Sequence, residues 1–512
     1  MSMNPVPGPV GHQEPAVWGV PGLLTERQRD QAAAAAAVVC GRLRDVDRVE
    51  SAARLAAEQR GNGSRSHAVG WGLTQGWAGI AVLFEHADRC RPGEGWEDEA
   101  RAALGRAAAA AAASPSALPP GLATGWAGIA FASAFLARDG QRYGRWRREL
   151  LPFVERAALA LAGSVTRGGD SWPFAEFDEI SGLAGMAAAL SQEGPGRALA
   201  AVADALVAGT LRGGSGPPWP TAREQIRDEG LLARYPGGLV NLGMAHGLAG
   251  VVAALALAVR VGVAGPDGEA ALGVVAGWLA GQVGWVDGKP VLPSFRSLGE
   301  GDGPMLPGRT AWCYGPPGAA RALALAGSAL GRPELAELGT ELLLASLDQP
   351  AEVSWLNSAT FCHGLAGVLH IAARMAEAST DRRLVGVVPQ LCARLVDAFE
   401  PDSLLGFRTR DSDGRRVDSP ALLDGAAGVA LVLLSLAHEP APGWDRAFLL
   451  SLRHGKPQIP GQLRRRGRPG PGPARVARAD RMGPAACPAA PGHRRRPAHH
   501  QGRCAPRGAD RQ

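Results

Sequence analysis

The chain has 512 residues, 46% hydrophobic but only 5% aromatic, and is dominated by Ala, Leu and Gly with few β-branched runs, which argues against a large sheet and for close-packed helices. Its net charge of +6 belongs to one end: residues 455–512 hold 14 Lys+Arg against 2 Asp+Glu, which leaves residues 1–454 with 40 against 46, a net of −6. No apolar run reaches the roughly 18 residues that cross a bilayer, and seven scattered cysteines form no disulfide framework, so a cytoplasmic protein with reduced thiols is expected.

In chain order, residues 1–23 are rich in Pro and Gly without periodicity and read as a flexible leader. The alanine stretch 32–38 runs into RLRDVDRVESAARLAAEQR, a charged helical pattern, and so reads as a helix start and not as the apolar core of a signal peptide. A Gly-x-x-Gly then opens an apolar run seven times: GWAG at 76 and 125, GLAG at 182 and 247, GPPG at 315, GLAG at 364 and GAAG at 425. Each run is apolar nearly all round, as a helix buried on most sides requires. Between these runs lie amphipathic stretches, near 27–60, 94–113, 141–164, 196–212, 267–284, 332–348 and 380–399, that suit a water-facing layer. The expectation is an all-α protein, an α/α toroid of seven outer and seven inner helices over residues 24–454.

The glycines are expected to permit positive φ in the turns and to let each inner helix start close to its neighbour. Residues beside the turns then share one rim, so His246, Cys313, Cys362 and His363 converge whatever the protein does. The longest spacings flank His246, where loops 213–245 and 286–312 either shape a cleft or face solvent as plain insertions. Residues 455–512 read as a disordered basic tail, either an electrostatic contact for an acidic partner or an uninformative extension. No nucleic-acid partner is expected.

Two turns break the apolar pattern, with Trp312-Cys313-Tyr314 before Gly315 and Cys362-His363 before Gly364. Cys313, Cys362 and His363 supply three soft or borderline donors, the set that holds zinc with one position open, although both cysteines also suit small buried hydrophobes. His246 fills the same slot as His363 and is either a helix-end residue or a catalyst. Asp178 and Asp424 read first as capping residues. Arg309 and Tyr314 flank Cys313, bringing a cation and a phenol to the same rim.

The strings RTAWCYGPPG and FCHGLAG, with AHGLAG upstream and a DxxxG ahead of GLAG, resemble the lanthionine synthetase C-like family, the cyclases that close thioether rings in lanthipeptides. The resemblance covers roughly residues 30–450, and WCYG together with CHG is highly specific. It implies that Cys313, Cys362 and His363 hold Zn²⁺ and that His246, Asp178, Arg309 and Tyr314 occupy the family's active-site positions. With no kinase-like or lyase-like region ahead of the toroid, it implies the stand-alone cyclase; the basic tail is a departure from the family pattern. The implied reaction is an intramolecular Michael addition of a peptide cysteine to dehydroalanine or dehydrobutyrine. A dehydrated precursor peptide is then the substrate and a dehydratase the expected partner. Two readings compete: addition of glutathione to dehydroamino acids, and a peptide-binding scaffold without activity.

Overall fold

The computed structural model describes residues 18–60, 70–113, 118–138, 140, 142–214, 216–299, 307–354, 356–410 and 414–452; the expected leader up to residue 17 and the expected tail 455–512 lie outside them. Helix α1 (Glu26–Arg44) opens on a capping box, in which the Thr25 hydroxyl accepts from the Gln28 backbone and the Gln28 side chain accepts from the Thr25 backbone. Helix α2 (Val46–Arg60) follows one residue later, so the expected outer helix 27–60 is two helices broken at Asp45. The chain continues through α3 (Trp77–Cys90), α4 (Trp96–Ala113), α5 (Trp126–Leu136) and α6 (Gly144–Arg167). A short α7 (Phe174–Phe177) precedes α8 (Leu183–Leu190) and α9 (Arg197–Arg212), and a short α10 (Glu229–Arg234) precedes α11 (Leu248–Arg260) and α12 (Gly265–Gly281). Then come α13 (Pro316–Leu330), α14 (Pro333–Leu347), a short α15 (Ala351–Ser354), α16 (Leu365–Glu377), α17 (Arg382–Asp397) and α18 (Ala426–Ala437).

Among the described residues the seven helices that follow Gly-x-x-Gly turns, α3, α5, α8, α11, α13, α16 and α18, form the inner ring and are buried over most of their length. Each packs against the next inner helix, and α18 packs back on α3, which closes the ring. Each of the first six lies under the outer helix that follows it in sequence; α18 is instead covered by α1. The N-terminal helix therefore supplies the seventh outer position, and the fold is an α/α toroid whose two ends interlock. None of the described helices is long and apolar enough to cross a membrane.

The turns are joined to one another by backbone hydrogen bonds. The residue two before each first glycine donates its N–H to the carbonyl of its counterpart in the next turn: Thr74 to Ala123, Ala123 to Ile180, Ala245 to Cys313, Cys313 to Cys362, Cys362 to Leu423, and Leu423 back to Thr74. The circuit slips by one residue in the third turn alone, where Glu179 and not Ile180 donates onward to Ala245. One residue earlier in every turn, the side chain points into the barrel: Leu73, Leu122, Glu179, Met244, Trp312, Phe361 and Leu422 are all buried.

Positive φ is not what the turn glycines supply. Of the seven first glycines only Gly315 has it, at φ +104°, while the others are extended, with φ between −100° and −156°. The need is close approach: a Cβ on any first glycine would lie 2.0–2.4 Å from backbone of its own turn, and one on any second glycine 1.9–2.4 Å from the carbonyl six residues earlier. At Gly367 that carbonyl is Phe361 O, at 1.9 Å. The turn and the first helical turn are in contact, which only a residue without Cβ allows.

Short antiparallel pairs decorate the ring: β1 (Leu239–Asn241) with β4 (Phe295–Ser297), β2 (Gly284–Val286) with β3 (Lys289–Val291), and β5 (Arg408–Arg410) with β6 (Arg416–Asp418). The first pair joins the two long loops to each other. Order also begins earlier than the sequence led us to expect. Residues 18–23, assigned to the flexible leader, are packed: Trp18 is buried and its indole N–H donates to Ser435 O. A large aromatic side chain that finds an apolar pocket overrides the loop character of its neighbours.

Candidate functional site

Cys313 and Cys362 occupy the same position in neighbouring turns, two residues before the first glycine, and the Cys313 N–H donates to the Cys362 carbonyl at 3.2 Å. Adjacent turns in register thus bring side chains 49 residues apart in sequence onto one spot. His363 follows Cys362 on the solvent side, and the donor atoms of Cys313, Cys362 and His363 lie within 4.8 Å of one another. The set fits a zinc ion: two thiols and an imidazole are the donor types zinc prefers, and three protein donors leave a coordination position for substrate. Without a cation the Cys362 thiol is held well above its usual pKa, first by its hydrogen bond with Cys313 and then by burial, with Arg309 pulling the other way.

Asp424 ends the next turn, with its Oδ1 3.6 Å from His363 Nδ1. It does not cap α18, whose first turn receives no side-chain cap, and Oδ1 is buried without a hydrogen-bond partner. Its slot, directly before a first glycine, is the one held by His246, Tyr314 and His363 in three other turns, a positional signal that was open to reading in the sequence.

The neighbouring turn on the other side carries His246. Ala245, just before it, donates to the Cys313 carbonyl at 3.2 Å, which ties this turn to the cysteine turn. His246 Nδ1 lies 2.6 Å from Asp178 Oδ2. Asp178 is buried at 1% exposure, and its Oδ1 accepts the backbone N–H groups of Ser181 (2.7 Å) and Gly182 (2.9 Å). These contacts fix the carboxylate as an acceptor, so His246 donates from Nδ1 and presents Nε2 outward. Asp178 therefore does what a capping residue does, accepting backbone N–H groups where α8 begins, and at the same time holds His246. His246, a third exposed, caps nothing.

Tyr314 lies between the two groups. It follows Cys313 directly, and its ring stacks on His246 with centroids 6.0 Å apart. Burial, more than any neighbour, raises its phenol above the ordinary range, so it stays protonated. Its other face meets Phe295 of β4 at 5.7 Å, and Phe295 meets Tyr235 at 5.6 Å. Of the two readings of the long loops, wall or insertion, this contact favours the wall. Arg309 sits in the strand of chain leading to the cysteine turn, half-buried, with its charge bearing on Cys362.

Of the eight residues singled out in the sequence, Asp178, His246, Cys313, Tyr314, Cys362, His363 and Asp424 thus lie in adjoining turns on one rim, and the Arg309 charge bears on Cys362. Within the turns one buried acid escaped the sequence reading: Glu179, whose core-facing slot is apolar in the six other turns. Its Oε2 has no partner, and burial, reinforced by the charge of Asp178, raises its carboxyl well above the usual range.

Residues 67–449 match the family described as lanthionine synthetase C-like protein. No curated protein matches the sequence. Among solved structures the fold is similar to nisin cyclase, with a TM-score of 0.61 and 18% identity over 74% of this chain and 92% of that one. With three quarters of its length matched and both motif-bearing turns inside the match, this chain belongs to the lanthionine synthetase C-like family.

Proposed function

We propose that the protein is a zinc-dependent cyclase that adds peptide cysteine thiols to dehydroalanine or dehydrobutyrine, forming (methyl)lanthionine rings in a dehydrated precursor. The observation that carries this reading is the Cys313, Cys362 and His363 donor cluster in the turn next to a His246–Asp178 pair. Cys313, Cys362 and His363 would hold the metal. A zinc ion held there would supply Lewis acidity, lowering the pKa of an incoming thiol.

The rest falls to side chains. Addition forms the S–Cβ bond, moves the alkene electrons to Cα and the carbonyl as an enolate, and requires one proton at Cα. His246 is the group for that transfer, since Asp178 engages Nδ1 and leaves Nε2 to carry the proton. Asp178 keeps the tautomer by accepting from Nδ1 and stabilises the imidazolium when it forms. The Tyr314 hydroxyl, kept protonated by burial, is a donor for the enolate oxygen, with the Arg309 charge nearby. The activity requires a dehydratase to prepare the peptide, and the reduced thiols suit the cytoplasm.

The test is incubation of the zinc-loaded protein with a dehydrated Cys-containing peptide, with and without glutathione. Ring closure, seen as lost thiol reactivity at unchanged mass, supports the cyclase. A gain of one glutathione mass replaces it with the glutathione reading, and neither change in a zinc-loaded protein that still binds the peptide leaves the scaffold.

A further inference from the structure

The last described segment, Trp444–Leu452, does not lie on the outside of the toroid. It enters the barrel among the inner helices, where Asp445 is fully buried and accepts from Arg374 Nε (2.6 Å) and Nη2 (3.0 Å), His370 Nε2 (2.9 Å) and Ser451 Oγ (3.0 Å). Arg321 donates to the Leu450 carbonyl at 2.9 Å. Two inner helices, α13 and α16, therefore grip this segment through Arg321 on one side and His370 and Arg374 on the other. The same two helices begin at the cysteine turns.

Between these anchors stands Phe448. Its ring lies 4.7 Å from that of Phe361 and 5.4 Å, edge-on, from that of Trp312. Trp312 and Phe361 are the core-facing residues directly before Cys313 and Cys362, and they touch each other at 5.8 Å. The three rings form one buried cluster beneath the metal donors, so a shift of either ring is transmitted through a single peptide unit to a cysteine. Close-packed interiors transmit such displacements instead of absorbing them.

We infer that residues 444–450 form an internal buttress for the metal centre, with Phe448 as a positioning residue that sets the spacing of Cys313 and Cys362 from below. The inference rests on the metal reading above and extends it to a segment some 80 residues beyond the last donor. Its chemistry is the general one of outer-sphere support: a ligand set binds tightly when its own rotamers are locked by packing.

The experiment compares Phe448→Ala, the milder Phe448→Leu, and Phe131→Ala, which opens a cavity at a fully buried ring in α5, away from the cysteine turns. Zinc affinity is measured by chelator competition, the visible ligand-field spectrum after cobalt substitution, and stability by urea unfolding. The expected result is a rise in zinc Kd of about 10- to 100-fold in Phe448→Ala, a smaller rise in Phe448→Leu, and a changed cobalt spectrum in both. Phe131→Ala should lose comparable stability and keep both metal readouts. Equal metal affinity and spectrum in the Phe448 and Phe131 variants would overturn the buttress. If Phe448→Ala does not fold, the leucine variant decides by the same comparison. Wild-type protein that binds no zinc removes the metal reading itself, and the buttress with it; wild-type binding with unaffected Phe448 variants removes the buttress alone.

Discussion

The rim of the toroid and the barrel interior below it both hold carboxylates and histidines, yet they treat them in opposite ways. Inside, Asp445 receives four hydrogen bonds from three side chains, and Arg374 and His370 outweigh burial to hold its carboxyl far below the usual range. On the rim, Asp424 Oδ1 has no hydrogen-bond partner, His246 keeps one nitrogen outward, and three metal-type donors crowd within 4.8 Å. A satisfied cluster fixes structure; an unsatisfied one at the surface of the same scaffold has capacity left for a ligand. Residue types alone do not distinguish the two, since each has Asp, His and Arg.

The comparison breaks most sharply at the donors. Cys313→Ala or Cys362→Ala should abolish stoichiometric zinc and ring formation while the helical circular-dichroism spectrum stays; zinc retained at one per chain in either variant would remove the metal centre. His246→Ala should keep the zinc and lower kcat by about 10²- to 10⁴-fold; an unchanged kcat would remove His246 from the proton transfer. Below, Asp445→Asn should cost about 3 kcal/mol in urea unfolding, because Arg374 loses one of its two buried carboxylates and keeps only Glu377, and zinc affinity per folded molecule should change far less than stability. An Asn variant as stable as wild type would mean that the ion cluster is not what anchors the segment. Asp424→Asn should leave stability near wild type but weaken zinc by about 10- to 100-fold, as expected if the carboxylate orients His363; unchanged affinity makes Asp424 a bystander.

The smallest effect concerns acid. Burial lowers His86 from 6.5 to about 3, so the unfolded chain binds more protons than the folded one between these values. Its contribution to stability is complete above pH 6.5 and is lost as the pH falls toward 3. By pH 5 the loss should be about 2 kcal/mol. Unfolding followed in a Cys362→Ala background keeps metal loss out of the measurement, and His86→Gln should flatten the dependence. An undiminished slope in that variant would assign it to other groups.

Much of this was legible because periodicity survives in the sequence. The inner helices start within a residue of their Gly-x-x-Gly turns, and the non-apolar residues at Cys313, Cys362 and His363 stood out against the repeat. The circular arrangement of turns then made convergence on one rim a geometric necessity. From its own turn Asp178 was legible as a capping residue and only through the family resemblance as an active-site one, since its bond to His246 spans 68 positions. Glu179 was legible in principle, as the one acid in a slot that is apolar in the six other turns, but that the slot faces the core shows only once the turns are folded. Phe448 lies in no repeat at all, and its role depends on a segment folding back inside the ring.

The amino-acid sequence by itself determined the helical class, the sevenfold repeat and which residues are the candidate donors, because all three are written in local spacing and side-chain chemistry. Only the tertiary structure decided that α1 covers α18, that the turn glycines serve close approach and not positive φ, and that the C-terminal segment props the cysteine turns. The first and last depend on which surfaces meet between distant parts of the chain, which burial chooses by shape once the ring has closed, and the glycine role on how tightly each turn folds back on its own backbone.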